Sequence, residues 1–375
     1  MMGAQPLALF QEEMGQVVPF FRTHCYPDNP IDMVYSRYIH MVEEIAQDIS
    51  TLFETDRIEP ADIVFCHTAY SFCVHGIALA LFRLKVDFRV NLTLSTMFNP
   101  GFKSSSDNNT SLSPIEEIRY RSSFELLRLL DSRPSVNINI CAPSKSYQTT
   151  YQELWPHKHI DLHPSICNSN LAPGTFSKQN RTTVLMYLGC PKQTKGMRFT
   201  LGWAESHVLA YPNIDFIFHY NYEFPTKEDF SQCSIDLRKL AEYENFHLIE
   251  GPIGEEQYAL VIARSDIFFL LYDPSEYEFK TSGVFWDALR SGPHKFFFAS
   301  SKTWISDELS DIGIAHETVV FGDSDSLTDA FLRAQDSNFS HGEATPQIDE
   351  NYYMLLTSNF GKWSVERYGI YIEQN

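Results

Sequence analysis

The sequence predicts an α/β protein of two doubly wound parallel-sheet domains, and three observations carry that expectation. Strand-length apolar runs alternate with helix-length amphipathic segments through most of the chain, the pattern of parallel strands joined by right-handed helical crossovers. At 375 residues the chain is long enough for two domains of ordinary size, each burying its own core. Residues 166–181 carry Asn168, Asn170, Pro173 and Gly174, a linker composition that divides the chain into a first domain over 1–170 and a second over 171–345.

In the first half, residues 1–30 offer one short strand, Val17 to Phe21. Asp32 opens an amphipathic helix whose Val34, Tyr38, Met41, Ile45, Ile49 and Leu52 share a face. From Ala61 the pattern turns to β and α: a strand to Thr68, a helix over 71–84, a strand over 87–95 and a turn at Asn99-Pro100-Gly101. The polar stretch from Lys103 to Ser113 reads as a mobile loop. Ser113 and Pro114 start a helix to Asp131. A strand over 136–143, a helix over 146–155 and a strand over 159–165 complete the half.

The second half alternates more regularly. Strands are expected over 182–189, 214–221, 246–252, 267–272, 295–299 and 317–323, with a helix between each successive pair up to the strand over 295–299 and a last helix over 326–336. Ile267 to Tyr272 has the length and aromatic content of a strand buried on both faces. After it, Thr281 or Ser282 can cap a helix in which Val284, Phe285, Ala288 and Leu289 recur at helical spacing, ended by Gly292 and Pro293. Residues 337–348 read as loose, and 352–372 as one or two terminal helices.

Forty-eight acidic against 29 basic side chains give a formal net charge of −19. Such a charge repels polyphosphate backbones and anionic lipid, so no nucleic-acid partner is expected. The first residues lack a basic start and a long apolar run, and no stretch reaches the roughly 18 apolar residues of a membrane span. The expectation is a cytoplasmic protein without a transmembrane segment, peripheral membrane association and oligomeric state being left open. The seven cysteines include no Cys-x-x-Cys pair, which argues against a disulfide framework or zinc knuckle. Cys66, His67, Cys73 and His75 crowd one region, but thiols in apolar sequence pack as small hydrophobes, and no metal is expected.

Ligands of parallel sheets bind beyond the carboxyl ends of the strands. The first strand of the second half ends at Gly189, and the loop 190–196 carries Lys192 and Lys195 ahead of a helix. In an acidic chain this pair reads as a diphosphate site or as a solvated surface pair; the Gly-x-x-x-x-Gly-Lys-Ser/Thr loop is absent. Thr281, Ser282, Gly283 and Val284 form a helix start whose N–H groups and dipole favour an anion. Asp287, one to two turns in, is either on a solvated face or a ligand for hydroxyls beside that anion. Asp273, Tyr277 and Lys280 form either a plain surface loop or a lid over a sugar. His67 ends a strand of the first half and is either structural or catalytic. No Gly-x-Ser-x-Gly elbow or His-Glu-x-x-His is present.

These stretches, TKG, YALVIARSDIFFLLYDPSEY, TSGVFWDALRSGP and TWISDEL, resemble the nucleotide-sugar half of GT-B glycosyltransferases of the family 4-like type. The resemblance covers about 150 residues, with the first half similar through its topology and the Asp-x-x-x-x-His strand that ends at His67. It implies two Rossmann-like domains facing across a cleft, with helices over 346–375 packing back on the first. It further implies that Lys195, and more loosely Lys192, contact the donor diphosphate, that Asp287 binds the ribose hydroxyls, and that His67 acts in catalysis beside Lys195. Gly189, Ile253, Tyr272, Tyr277, Thr281, Ser282, Gly283 and Val284 complete the expected nucleotide-sugar-binding set. Cys190 stands where the family most often has arginine, Phe279 stands where it has a glutamate, with Glu278 beside it, and the usual glycine-rich N-terminal loop is missing.

The implied function is transfer of a sugar from a nucleoside diphosphate to a glycan, lipid-linked or other hydroxyl acceptor, as in polysaccharide biosynthesis. The resemblance carries retention of configuration and no need for a metal or other cofactor. A nucleotide-sugar epimerase of the same fold and a non-catalytic glycosyltransferase-like scaffold are the alternatives.

Overall fold

A computed structural model describes residues 35–55, 63–66, 70–84, 90–95, 102–104, 110–112, 114–164, 181–221, 237–278, 280–339 and 347–368. The strand expected at Val17 to Phe21, the turn at 99–101, most of the linker, His67 and Phe279 lie outside these residues. The chain folds as two compact units, the first from 1–96, 100–140 and 152–159 and the second from 97–99, 141–151 and 160–375.

In the first unit α1 (Tyr35–Glu54), α2 (Ser71–Arg83) and α3 (Pro114–Asp131) pack together. The apolar face of α1 is buried as its spacing requires, through Tyr38, Met41, Ile45 and Ile49. Polar bonds fix the three helices relative to one another. Glu116 accepts from Arg119 and, at 2.8 Å, from Ser71, while Tyr38 meets His75 at 3.1 Å and lies under the Arg119 guanidinium at 4.4 Å. Burial of this Glu–Arg pair is tolerated because each partner is further hydrogen-bonded or stacked.

One sheet has the order β1 (Ile63–Cys66), β2 (Val90–Ser95), β5 (Val136–Ala142), β6 (Asp161–Leu162). The stretch from Lys103 to Ser113 is not simply a loop. Phe102–Ser104 (β3) and Thr110–Leu112 (β4) pair antiparallel, Phe102 opposite Leu112. A two-stranded ribbon satisfies its backbone without an apolar run, so the polar composition concealed it.

The second sheet is six-stranded and its strand pairs are parallel. Its strands are β7 (Thr182–Gly189), β8 (Ile214–Tyr220), β9 (Phe246–Glu250), β10 (Ile267–Leu270), β11 (Phe296–Ser300) and β12 (His316–Val319). The order β12-β11-β10-β7-β8-β9 is the doubly wound 3-2-1-4-5-6 arrangement read from the other edge, with the direction of winding reversing between β7 and β10. Every residue of β10 and β11 is buried, and alternate side chains feed opposite faces. On one face Phe269 and Phe298 join Trp203, Phe216 and Phe331. On the other, Phe297 meets Phe268 and Phe285, and Phe285 meets Trp304. At about 1.5–3 kcal/mol for each buried aromatic or large aliphatic side chain, this aromatic double layer is the main support of the sheet.

The same unit holds helix α4 (Lys145–Leu154) in part and, further along, α6 (Leu237–Leu240), α8 (Pro274–Tyr277), α10 (Trp304–Ile312), α11 (Ser324–Asp336), α12 (Glu350–Thr357) and α13 (Phe360–Tyr368). The Tyr352 hydroxyl accepts from the Lys145 amide at 2.8 Å and donates to Glu308 Oε1 at 2.5 Å. Lys145 also pairs with Asp349, and Trp304 donates to Ser144 Oγ at 3.2 Å. Further on, Arg367 pairs with Asp161, and the His163 ring meets Phe360 and Trp363. Glu308 is only 1% exposed, and its Oε2 has no partner. Burial pushes its carboxyl up to about 8; the charges of Asp311 and Asp307 act in the same direction, against the Tyr352 hydrogen bond and Lys145.

Candidate functional site

β7 and β10 are neighbours at the reversal of winding, the place in a doubly wound sheet beyond whose strand ends ligands bind. The loop leaving β7 folds over one side chain. Tyr187 sends its hydroxyl to the Cys190 carbonyl at 2.6 Å and accepts from the Lys192 amide at 2.9 Å. A single turn of 3₁₀ helix, Gln193–Lys195, then leads to α5 (Met197–His207) through Gly196, whose φ is +74°. A Cβ there would stand 1.9 Å from the Leu271 carbonyl oxygen, so the close approach of this loop to the end of β10 requires glycine. Asp273 N donates to Thr194 O at 2.8 Å and fastens the two loops together.

That closure brings Lys195 to Tyr272, with Nζ 6.0 Å from the ring centroid. Tyr272 in turn meets Ser282 Oγ at 3.0 Å and stands with its ring 4.5 Å from that of Tyr277. Ser282 is the N-cap of α9 (Gly283–Arg290), but its hydroxyl makes no capping bond. The capping role expected of it is given up because the buried Tyr272 hydroxyl needs a partner. The first N–H groups of α9 are therefore left uncapped by a side chain at an exposed Gly283. Tyr187, Lys195, Tyr272 and Val284 line one cavity of about 10 Å³, room for at most one water, so an anion would meet the lip of this cluster.

Lys195 is half-buried; burial lowers the affinity of its amine for its proton, Cys190 acts in the opposite direction, and no carboxylate among the described residues pairs with it. Desolvation of a cation without a partner is unfavourable, and an anion at the same place would relieve it. Burial also raises Tyr272 to about 12 and holds the Tyr187 and Tyr277 phenols still higher, so all three are neutral donors near pH 7. Lys192 is exposed.

Gly189 donates its amide to His219 Nδ1 at 3.2 Å, and His219 Nε2 reaches the Gly251 carbonyl at 2.9 Å. Those partners fix the neutral tautomer with the proton on Nε2, in keeping with a pKa held below the usual histidine range by burial. The ends of β7, β8 and β9 are tied by this one ring. Asp287 is only 7% exposed, which removes the solvated-face reading. Its Oδ2 accepts from the Tyr258 hydroxyl at 2.6 Å.

The structure thus brings Lys195, Tyr272, Tyr277, Ser282 and Val284 together, with Lys192 and Gly189 on the same loop, Gly283 on the same helix start and Asp287 one turn along it. Thr281 is half-buried beside Ser282, and Ile253, half-buried before α7 (Glu255–Arg264), enters none of these contacts. His67 is outside the described residues. Sequence reasoning missed Tyr187, His219 and Tyr258. The first two had a signal, since polar side chains near the carboxyl ends of otherwise apolar strands are unusual; Tyr258 opens one of the stretches that carry the resemblance, but no role was assigned to it there. Among the described residues no three His, Cys, Asp or Glu side chains gather as a metal site would require.

No family model matches the chain, and no curated protein matches it. Solved structures do. The UDP-forming α,α-trehalose-phosphate synthase from Burkholderia xenovorans superposes with a TM-score of 0.51 at 12% identity, over 88% of this chain and 78% of that one. The α,α-trehalose 6-phosphate synthase from Burkholderia multivorans gives 0.50 at 13% identity, over 81% and 70%. A second Burkholderia xenovorans synthase structure, in complex with glucose-6-phosphate, gives 0.50 at 13% over 81% and 72%. At such identities the likeness is one of fold, and the chain has the GT-B fold of these synthases, an α/β architecture with two parallel-sheet domains.

Proposed function

We propose that the chain is a glycosyltransferase, of the family 4-like type that its second-half motifs resemble. It moves a sugar from a nucleoside-diphosphate donor to a hydroxyl of a glycan, a lipid-linked or another acceptor. The observation that carries this reading is Lys195, a half-buried ammonium without a carboxylate partner among the described residues, at the switch point of a doubly wound sheet. The fold neighbours named above, UDP-forming synthases and one with a bound sugar phosphate, support the same substrate class.

In the proposed reaction the bond from the anomeric carbon to the donor's β-phosphate oxygen breaks, the acceptor oxygen bonds to that carbon, and the acceptor proton is released. Negative charge develops on the leaving diphosphate. Lys195, Lys192 and the N–H groups at the start of α9 meet it, which is stabilisation placed where charge appears and calls for no divalent cation. Asp287 holds the ribose. Retention of configuration comes to the proposal from the resemblance.

His67 is the proposed catalytic residue of the first half. An assay of nucleoside-diphosphate release from UDP-, GDP- and ADP-sugars, with a panel of acceptors, tests the function and this residue together. His67→Ala is expected to lower turnover at least about tenfold while leaving the melting temperature and donor affinity nearly unchanged, because its interaction matters in the transition state. A destabilised variant with a normal rate would end the catalytic role. Donor binding without release or transfer from any sugar would favour a scaffold.

A further inference from the structure

Tyr258, to which the resemblance assigns no role, forms a pair with Asp287. Tyr258 lies one turn into α7 and Asp287 one turn into α9, and these helices precede and follow β10. Each helix begins beside a glycine, Gly254 and Gly283, where an added Cβ would meet nothing within 4 Å. Side chains in a helix lean toward its N-terminus, so Asp287 leans toward the open space at Gly283 and the half-exposed Val284, the positions four and three before it. One carboxylate oxygen is taken, since Oδ2 accepts from the Tyr258 hydroxyl at 2.6 Å. The other, Oδ1, is buried and has no hydrogen-bond partner. Burial raises the Asp287 carboxyl above the usual aspartate range, and the Tyr258 bond and Arg290, one turn on, act against it.

A buried acceptor without a donor is costly, and a sugar hydroxyl entering beside Gly283 would supply the donor. An aspartate is also one methylene shorter than the glutamate of the motif it resembles. With Oδ2 engaged, it cannot present both oxygens to neighbouring hydroxyls as a free carboxylate does.

We propose that Tyr258 is a positioning residue: its hydroxyl occupies one oxygen of Asp287 and leaves Oδ1 as the single acceptor. The ribose of a nucleoside diphosphate is thereby held through one of its two hydroxyls rather than both. This inference rests on the donor-binding reading above, and its test separates the two.

The full chain is titrated calorimetrically with UDP, GDP and ADP, each beside its 2′-deoxy and 3′-deoxy forms. For a ribonucleotide that binds, loss of one hydroxyl is expected to weaken binding about tenfold or more and loss of the other to leave it within about twofold. Tyr258→Phe keeps the ring and frees Oδ2 for the second hydroxyl, so the losses for the two deoxy forms should draw together. Equal losses in the wild type, or none for either form, overturn the inference and leave the donor reading standing. So does a Tyr258→Phe protein with a normal melting curve that keeps the wild-type asymmetry. Should that variant not fold, the wild-type comparison decides alone. Binding of none of the three ribonucleotides removes the donor reading itself, and this inference with it.

Discussion

Lys195→Ala is expected to weaken binding of the matching nucleoside diphosphate by about 2–4 kcal/mol, some 30- to 1,000-fold, while binding of the nucleoside changes by less than about threefold. The asymmetry follows from where the ammonium stands. It lies at the ends of β7 and β10 beside the uncapped start of α9, whereas Asp287, the proposed ribose ligand, is one turn along that helix. The same substitution is expected to leave the ligand-free protein at least as stable as before. In the wild type the charge is half-buried without a carboxylate partner among the described residues, and its removal relieves that cost. Calorimetry with both ligands and a melting curve without either measure the three quantities. Equal losses for nucleoside and diphosphate would end the phosphate role, and a strongly destabilised ligand-free variant would show the lysine to be structural.

Glu308→Gln is expected to stabilise the protein in mild alkali. The wild-type carboxyl rises from 4.5 to about 8 in the fold, chiefly through burial. Between those values the folded chain holds a proton that the unfolded chain has released, so this contribution is fully present below about pH 4.5 and declines as pH rises through about 8. Above that range the folded state must carry a buried carboxylate among Asp307, Asp311 and the Tyr352 hydroxyl, with the charge of Lys145 acting in its favour. Glutamine keeps the shape and the acceptor for Tyr352 and cannot ionise. At pH 9 the variant should exceed the wild type by about 1–3 kcal/mol, and at pH 5 the two should lie within about 0.5 kcal/mol. Melting curves across that range check the expectation; identical pH profiles would show that Glu308 is not titrating with folding.

Much of the second sheet was legible because its central strands are buried on both faces. Ile267 to Leu270 and Phe296 to Ser300 leave no polar alternation to misread, and the glycines and prolines between elements punctuate them. The cluster of Lys195 with the start of α9 was legible for a topological reason, since both lie at strand ends of one parallel sheet. The helix Trp304–Ile312 was harder. Ser306 and Glu308 occupy buried positions in it, so the apolar stripe that announces a helix is broken by residues whose partners, such as Tyr352, lie far along the chain. The burial of Asp287 was hidden for a similar reason, because spacing places it on a helix without saying what that face meets. The loop-to-β10 closure through Gly196 is likewise a contact between distant residues, and periodicity carries no information about those.

The proposed binding of a nucleoside diphosphate sugar by the second unit is tested by the melting temperature of the full chain with UDP-, GDP- and ADP-sugars, each compared with its free nucleoside. A ligand at one hundred times its dissociation constant stabilises the state it binds by about 2.7 kcal/mol, which for a domain of this size is a rise of about 5 °C or more. The expected result is a rise of that order with at least one nucleotide sugar, a far smaller one with its nucleoside, and the loss of the difference in Lys195→Ala. Melting temperatures unmoved by all three sugars at millimolar concentration, or moved equally by sugar and nucleoside, would contradict the assignment.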